Sequence, residues 1–240
     1  MVSEIDRFEV AALQGRGAQV VEVLPYREYR RRHIAGAVSL PLPEVASHAR
    51  RRLDPHLPVV TYCYDATCDM SGRAAAVLDC LGFAEVYNYQ PSKVDWFSNG
   101  LPAEGEEATL VRLADLVDRS VPRCRVDESL DDVAVRMGNW DRCVVVAANG
   151  AVLGVITRDD VRAVAGTATP VADLIHQGPI TYRPDLTVDE MAAILRRQPQ
   201  DRVLVTNADG TLVGTVDATV ISQAAGVGAE VSRETSTEMG

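Results

Sequence analysis

Short apolar runs alternate with charged or alanine-rich stretches through the first hundred residues. Val59-Val60-Thr61-Tyr62 is β-branched and aromatic and predicts a buried strand. Cys63 ends it, a polar loop follows, and Ser71 stands where an N-cap would open the alanine-rich helix beyond. Upstream, Asp6-Arg7-Phe8-Glu9 has the form of a capping box opening a short helix through Leu13. Ala18 to Leu24 predicts a strand, and residues 25–41 a charged helical turn running into a second strand. Glu85 to Tyr89 predicts a further strand and Asp95-Trp96-Phe97 a further short helix. Strands alternating with helices predict an α/β fold: a parallel sheet with helices on both faces.

The pattern changes after Leu101-Pro102-Ala103-Glu104-Gly105-Glu106-Glu107, a short acidic stretch that reads as a linker. Beyond it the chain repeats itself. The run from Asp141 to Val155 recurs from Asp201 to Thr215, and Gly150 and Gly154 stand 60 residues before Gly210 and Gly214. Each copy reads as a strand, a tight Asn-Gly or Asp-Gly turn and a second strand. Helices precede them, Ser129 to Met137 and Thr187 to Leu195. One copy alone could not bury both its faces, so the two are expected to pack on each other. The expected domains are 1–107 and 108–226, the latter divided at about 109–168 and 169–226. The tail, 227–240, is small and polar and is expected to be disordered.

Composition narrows the partners. A net charge of −10 speaks against non-specific binding to nucleic acid or to an anionic membrane. No apolar run approaches the ~20 residues needed to span a bilayer, and the first residues lack the basic-then-apolar order of a signal peptide. Five cysteines without regular spacing do not suggest a disulfide framework. A cytoplasmic protein is the expectation. Metal binding has no support, because Cys63 and Cys68 lack a second close pair and His33, His48, His56 and His176 are scattered.

Cys63 carries the most chemical promise. A thiol between a strand's carboxyl end and a helix's amino end meets free N–H groups and the helix dipole, which favour a thiolate. The plainer alternative is a buried structural thiol. Cys68, inside the loop and nearer the helix, is either a resolving or accepting thiol or a spectator. Asp65 and Asp69 beside both would oppose thiolate formation. Cys80, Cys124 and Cys143 read as structural, and Arg27 with Arg30 to Arg32 as a solvated face.

These residues resemble a family. His33-Ile34-Ala35-Gly36-Ala37 is similar to the histidine-glycine-alanine signature of rhodanese domains. The order of strand, cysteine, loop, alanine-rich helix, Leu81-Gly82-Phe83, strand, tryptophan and Gly100-Leu101-Pro102 is also theirs, over about residues 4 to 105. The resemblance implies a sulfurtransferase fold in which Cys63 carries a persulfide, with a small-molecule or protein sulfur donor and acceptor. It also implies that His33 is a structural residue near a turn. Three features depart from the pattern. The usual acidic-then-basic pair after the first strand reads Glu22-Val23-Leu24, without its basic member. Pro91-Ser92-Lys93 replaces a double glycine, and the cysteine loop is about two residues longer than usual. Phosphatases on this fold use Cys-x5-Arg to fork around a phosphate. Here the sixth residue after Cys63 is Asp69 and after Cys68 is Ala74, and Arg73 misses both registers. A dianion would be repelled by the loop aspartates, which disfavours phosphate and thiosulfate alike.

The repeat resembles paired cystathionine-β-synthase (CBS) domains over about residues 109 to 226. Gly154-Val155-Ile156-Thr157-Arg158-Asp159-Asp160 is similar to that family's glycine-x-x-threonine-x-x-aspartate ending. The resemblance implies that Thr157 and Asp160 contact an adenosine nucleotide (AMP, ADP, ATP or S-adenosylmethionine) as regulatory ligand. It also implies a homodimer formed through this half. The plainer alternative is that Thr157 caps a helix and Asp160 is solvated within it. In the second copy Asp217 and Val220 replace the threonine and aspartate, so that site looks degraded. Two functions remain in view: a nucleotide-tuned sulfurtransferase, and a catalytically idle sensor or interaction module.

Overall fold

The computed structural model describes residues 2–164, 169–175 and 178–226. The polar tail at 227–240 and His176 lie outside them. The chain forms two compact units, Met1–Leu110 and Val111–Gly240.

The first unit runs β1 (Ser3–Glu4), α1 (Arg7–Gln14), β2 (Gln19–Glu22), α2 (Tyr26–Arg31), β3 (His33–Ile34), β4 (Val38–Ser39), α3 (Leu42–Arg52), β5 (Val59–Tyr62), α4 (Met70–Cys80), β6 (Val86–Asn88), α5 (Ser92–Ser98) and β7 (Ala103–Glu104). Five strands form one sheet in the order β1-β6-β5-β2-β4, every neighbouring pair parallel. All four residues of the central β5 are buried, as an unalternating β-branched run requires. Val59 packs with Val45, Ala49, Ala74 and Leu78 of α3 and α4. Val60 and Tyr62 pack on the other face, with Val10 and Leu13 of α1 and Trp96 and Phe97 of α5. Both faces are therefore covered by helices.

The capping box at α1 is present, Asp6 accepting from the N–H groups of Phe8 and Glu9 while the Glu9 side chain takes the Asp6 N–H. The cap expected at Ser71 is not. α4 begins at Met70 behind Asp69, which makes no side-chain cap, and Ser71 lies buried inside the helix. Its hydroxyl is drawn instead toward the end of β5, where Cys63 waits.

The acidic stretch read as a linker is stitched to the first unit. β7 pairs antiparallel with β3, and the N–H groups of Glu106 and Glu107 donate to the carbonyls of Arg30 and Arg31. The same arginines pair with those glutamates through their side chains, at 2.8 and 2.7 Å. Arg32 lies 4.0 Å over the Phe97 ring. Arg27, Arg30 and Arg31 are exposed, as a solvated face requires, and Arg30 and Arg31 also form a seam with Glu106 and Glu107. Opposite charges 76 residues apart found each other, which local charge patterning does not disclose.

The second unit runs α6 (Leu113–Leu116), β8 (Arg123–Cys124), α7 (Leu130–Met137), β9 (Arg142–Val146), β10 (Val152–Thr157), α8 (Arg158–Ala163), a 3-10 turn (Val171–Leu174), β11 (Thr181–Tyr182), α9 (Val188–Arg197), β12 (Arg202–Thr206) and β13 (Leu212–Asp217). A last helix covers 218–226. The repeat forms two three-stranded sheets, β10-β9-β8 and β11-β12-β13. Both predicted hairpins are present, with Gly150 and Gly210 turning at φ +84° and +82°. The two turns bond each other reciprocally: Val152 N–H to the Gly210 carbonyl and Leu212 N–H to the Gly150 carbonyl, both 3.0 Å.

The repeats also exchange their opening segments. Leu113, with Leu116 and Val117 beside it, packs in the core of the second copy, against Met191, Val203 and Val213. Val171 and Leu174 pack in that of the first, with Val133, Met137 and Ile156. Boundaries of the sequence repeat are therefore not boundaries of packing.

Candidate functional site

Cys63 follows β5 directly and is fully buried. Its N–H donates to Ser92 Oγ at 3.0 Å, and its carbonyl accepts from the Lys93 N–H at 3.4 Å. Its thiol lies 3.3 Å from the Cys68 carbonyl, 3.3 Å from Ser71 Oγ and 3.6 Å from Ser92 Oγ. The loop doubles back: Asp65 accepts from the N–H and hydroxyl of Thr67, and the Cys68 N–H donates to the Asp65 carbonyl. Gln90 locks it from outside, donating to the carbonyls of Ala66 and Cys68 at 2.8 and 3.2 Å.

Cys68 is half-buried and packs against the apolar cluster that contains Cys63. Burial pushes the Cys68 thiol up and the neighbouring Cys63 thiol adds to this, while backbone groups of Met70 and Tyr64 pull the other way. The Met70 backbone group lies at the start of α4, where free N–H groups were expected, yet it acts on Cys68. Arg73 is exposed and reaches only Asp69, at 3.9 Å. His33 is tied to the Tyr29 carbonyl at 2.7 Å, stacked on the Tyr29 ring and 3.4 Å from Glu104.

Two residues behind Cys63 escaped the sequence reading except as departures from a pattern. Ser92 has φ +60°, a left-handed conformation that side chains seldom adopt, and its hydroxyl bridges the Cys63 N–H and the Tyr89 carbonyl. Lys93 sends its ammonium inward to Glu22 at 3.2 Å, with further acceptors in the carbonyls of Glu28 and Arg32. The basic partner that Glu22 lacks after β2 thus arrives from α5.

In the second unit, Thr157 ends β10 and Asp160 lies in the first turn of α8. They form a reciprocal box: Thr157 N–H and hydroxyl to Asp160 Oδ2 at 2.8 and 2.6 Å, and the Asp160 N–H to Thr157 Oγ1 at 3.2 Å. The Arg158 N–H donates to the Asp141 carbonyl and its guanidinium to those of Gly138 and Trp140. Beside this turn a cavity of about 370 Å³ is lined by Asp118, Asn139, Trp140, Asp141 and Arg202. In the second copy Asp217 turns onto its own helix, accepting from the N–H and hydroxyl of Thr219. The Thr219 hydroxyl above all, then its N–H and Arg202, hold that carboxyl below its ordinary range.

A parallel sheet with a strand-end cysteine and a doubled hairpin unit define the class, and family models agree. The rhodanese-like domain matches residues 8–99, and the CBS domain matches 113–166 and 171–224. The chain is a rhodanese-like domain followed by a pair of CBS domains. It is similar to the HTH-type transcriptional regulator Rv0324 of Mycobacterium tuberculosis, 32% identical over 85 residues, which are 35% of this chain and 37% of that protein. The chain therefore spans little more than a third of this curated relative. Among solved structures, the BH2092 protein of Bacillus halodurans is 26% identical over 44% of this chain and 78% of its own, with a TM-score of 0.41. CBSX2 in complex with AMP is 20% identical over 48% and 96%, with a TM-score of 0.43. The Rhodanese_3-like domain of the Alr3790 protein from Anabaena sp. is 22% identical over 38% and 94%, with a TM-score of 0.35. Among the described residues no helix is long and apolar enough to cross a membrane, and no group of three or more His, Cys, Asp or Glu could hold a metal ion.

Proposed function

We propose that the first unit is a sulfurtransferase carrying sulfur as a persulfide on Cys63, and that adenosine-nucleotide binding to the CBS pair regulates it. The observation that supports the first part is the seat of Cys63. Its backbone is fixed at the carboxyl end of a buried strand by Ser92 and Lys93, and its thiol lies 3.3 Å from the carbonyl of a second cysteine, Cys68. Anchoring of this kind gives a nucleophile a fixed direction. Incubation with glutathione persulfide should deliver one sulfur atom to Cys63, found on the peptide holding Cys63 when Cys68 is replaced by serine. Cys63→Ser should lose sulfur transfer to cyanide or a thiol; full transfer by that variant would move the role to Cys68.

A second reading, an idle sensor or interaction module, draws on the complete burial of Cys63 and the acidic loop above it. Alkylation near neutral pH separates the two, since a working nucleophile reacts stoichiometrically at Cys63 and a structural thiol does not.

For the CBS pair the reading is one nucleotide per chain at Thr157 and Asp160, beside the cavity at Trp140. The capping box leaves the Asp160 carboxylate at a helix start, where it can also accept from ribose hydroxyls. Asp217 is committed to Thr219 and would set a negative charge against phosphate. Calorimetric titration with AMP, ADP, ATP and S-adenosylmethionine should show one site. Asp160→Ala should weaken it roughly ten- to a hundredfold, the loss of a charged hydrogen-bond partner at about 1.5–3 kcal/mol, and Asp217→Ala should change it little. Two equal sites, or no binding by any of the four, would reject this reading.

A further inference from the structure

We infer that Cys68 resolves the persulfide on Cys63, so that the site releases its sulfur as hydrogen sulfide and closes a Cys63–Cys68 disulfide. The inference rests on the reading of Cys63 as the persulfide carrier and names the acceptor that this reading leaves open.

The geometry restricts which nucleophile can reach the carrier. Cys63 is fully buried, and the loop over it is closed by Asp65 and by the two bonds from Gln90. An external acceptor must displace that loop, whereas Cys68 belongs to it and its carbonyl already lies 3.3 Å from the Cys63 thiol. The loop also carries Asp65 and Asp69, which repel anionic acceptors such as sulfite. The doubling-back brings the Cys68 carbonyl 3.3 Å from Cys63 Sγ, and Cys68 packs against the apolar cluster that contains Cys63.

In the step itself, the Cys68 thiolate attacks Cys63 Sγ, the inner sulfur of the persulfide. The bond between Cys63 Sγ and the outer sulfur breaks, and its electron pair leaves with hydrosulfide. That anion takes up the proton which Cys68 gave up. The two cysteine sulfurs are oxidised to a disulfide and the outer sulfur is reduced to sulfide. A further turnover requires two equivalents of a low-molecular-weight thiol, or one protein dithiol, to reopen the disulfide.

The test uses the full chain, reduced, desalted and given one equivalent of glutathione persulfide. Wild-type protein should release about one sulfide per chain, lose two hydrogens in intact mass and yield a peptide cross-linked between Cys63 and Cys68. Dithiothreitol added afterwards should then free no more sulfide. Cys68→Ser and Cys68→Ala should instead retain the extra sulfur on Cys63 until dithiothreitol releases it. Wild-type protein that keeps a stable persulfide, or carries the extra sulfur on Cys68, would overturn the inference. So would sulfide release by both variants at the wild-type rate without added thiol. If the variants load on Cys63 while wild-type protein forms no disulfide, the carrier role stands and only the role of Cys68 falls. If no chain takes up sulfur, both fall.

Discussion

Lys93→Met should destabilise the first unit by about 3–5 kcal/mol at neutral pH, the usual cost of leaving one member of a buried ion pair alone. Glu22 is fully buried and Lys93 nearly so. Removing the ammonium takes away the donor to Glu22 Oε1, and Glu22 Oε2 is already buried without a hydrogen-bond partner. Burial already pushes the Glu22 carboxyl above its ordinary value, even with Lys93, Tyr62 and His33 pulling it down. Without the Lys93 charge it rises further. A carboxyl whose folded pKa is raised binds protons more tightly folded than unfolded, so its stability is full at low pH and lost as pH rises. The deficit of Lys93→Met against wild type should therefore shrink as pH falls toward the ordinary carboxylate range. Glu22→Gln should be milder, because Lys93 keeps the carbonyls of Glu28 and Arg32. The double variant Glu22→Gln, Lys93→Met should recover much of the loss, since neither charge is then left unpaired. Urea unfolding of the three variants at two pH values measures all of this, and equal losses for Lys93→Met and the double variant would refute it.

The same pair shows what a sequence can and cannot disclose here. Both departures from the family pattern were legible: a missing cation after β2, and Pro91-Ser92-Lys93 in place of glycines. That they compensate each other was not, because the partners stand 71 residues apart and meet only through the fold. Elements fixed by local rules were read correctly. The Asp6–Glu9 box, the buried β5 run and the Gly150 and Gly210 turns each follow from chemistry within a few residues. Where a side chain's partner lay far along the chain, the local reading fell short. Ser71 looked like a cap but turns to Cys63, and Arg30 and Arg31, exposed as expected, also hold Glu106 and Glu107. At the thiols the residue types were legible and their relation was not, since spacing alone does not show that Cys68 folds back on Cys63. Gln90, which fastens that loop, had no signal in the sequence at all.

Gly214→Ala should destabilise the second unit by about 2–4 kcal/mol, combining overpacking with the loss of backbone hydrogen bonds. Gly214 lies in β13, opposite Val205, at the point where residues 117 and 118 cross the strand's open edge. A Cβ there would stand 2.4 Å from the Asp118 carbonyl oxygen and 2.5 Å from Val117 Cγ1. The first obstacle is backbone and cannot rotate aside. Asp118 is also held on both sides, its N–H donating to the Thr215 carbonyl at 2.7 Å and its carbonyl accepting the Thr215 N–H at 3.0 Å. Relieving the collision means pushing the 117–118 segment off β13, which breaks that bridge. The damage would not stay local. Leu113, Leu116 and Val117 are the part of the first copy that packs in the core of the second, so their displacement loosens the exchange that joins the repeats. Asp118 also lines the cavity at Trp140, and the substitution should weaken any ligand held there as well as stability. Gly178→Ala is the control in the same unit, because a Cβ at Gly178 meets nothing within 4 Å. Chemical denaturation of the two variants should separate them clearly; a Gly214→Ala chain as stable as Gly178→Ala would show that the 117–118 crossing contributes little to the pair.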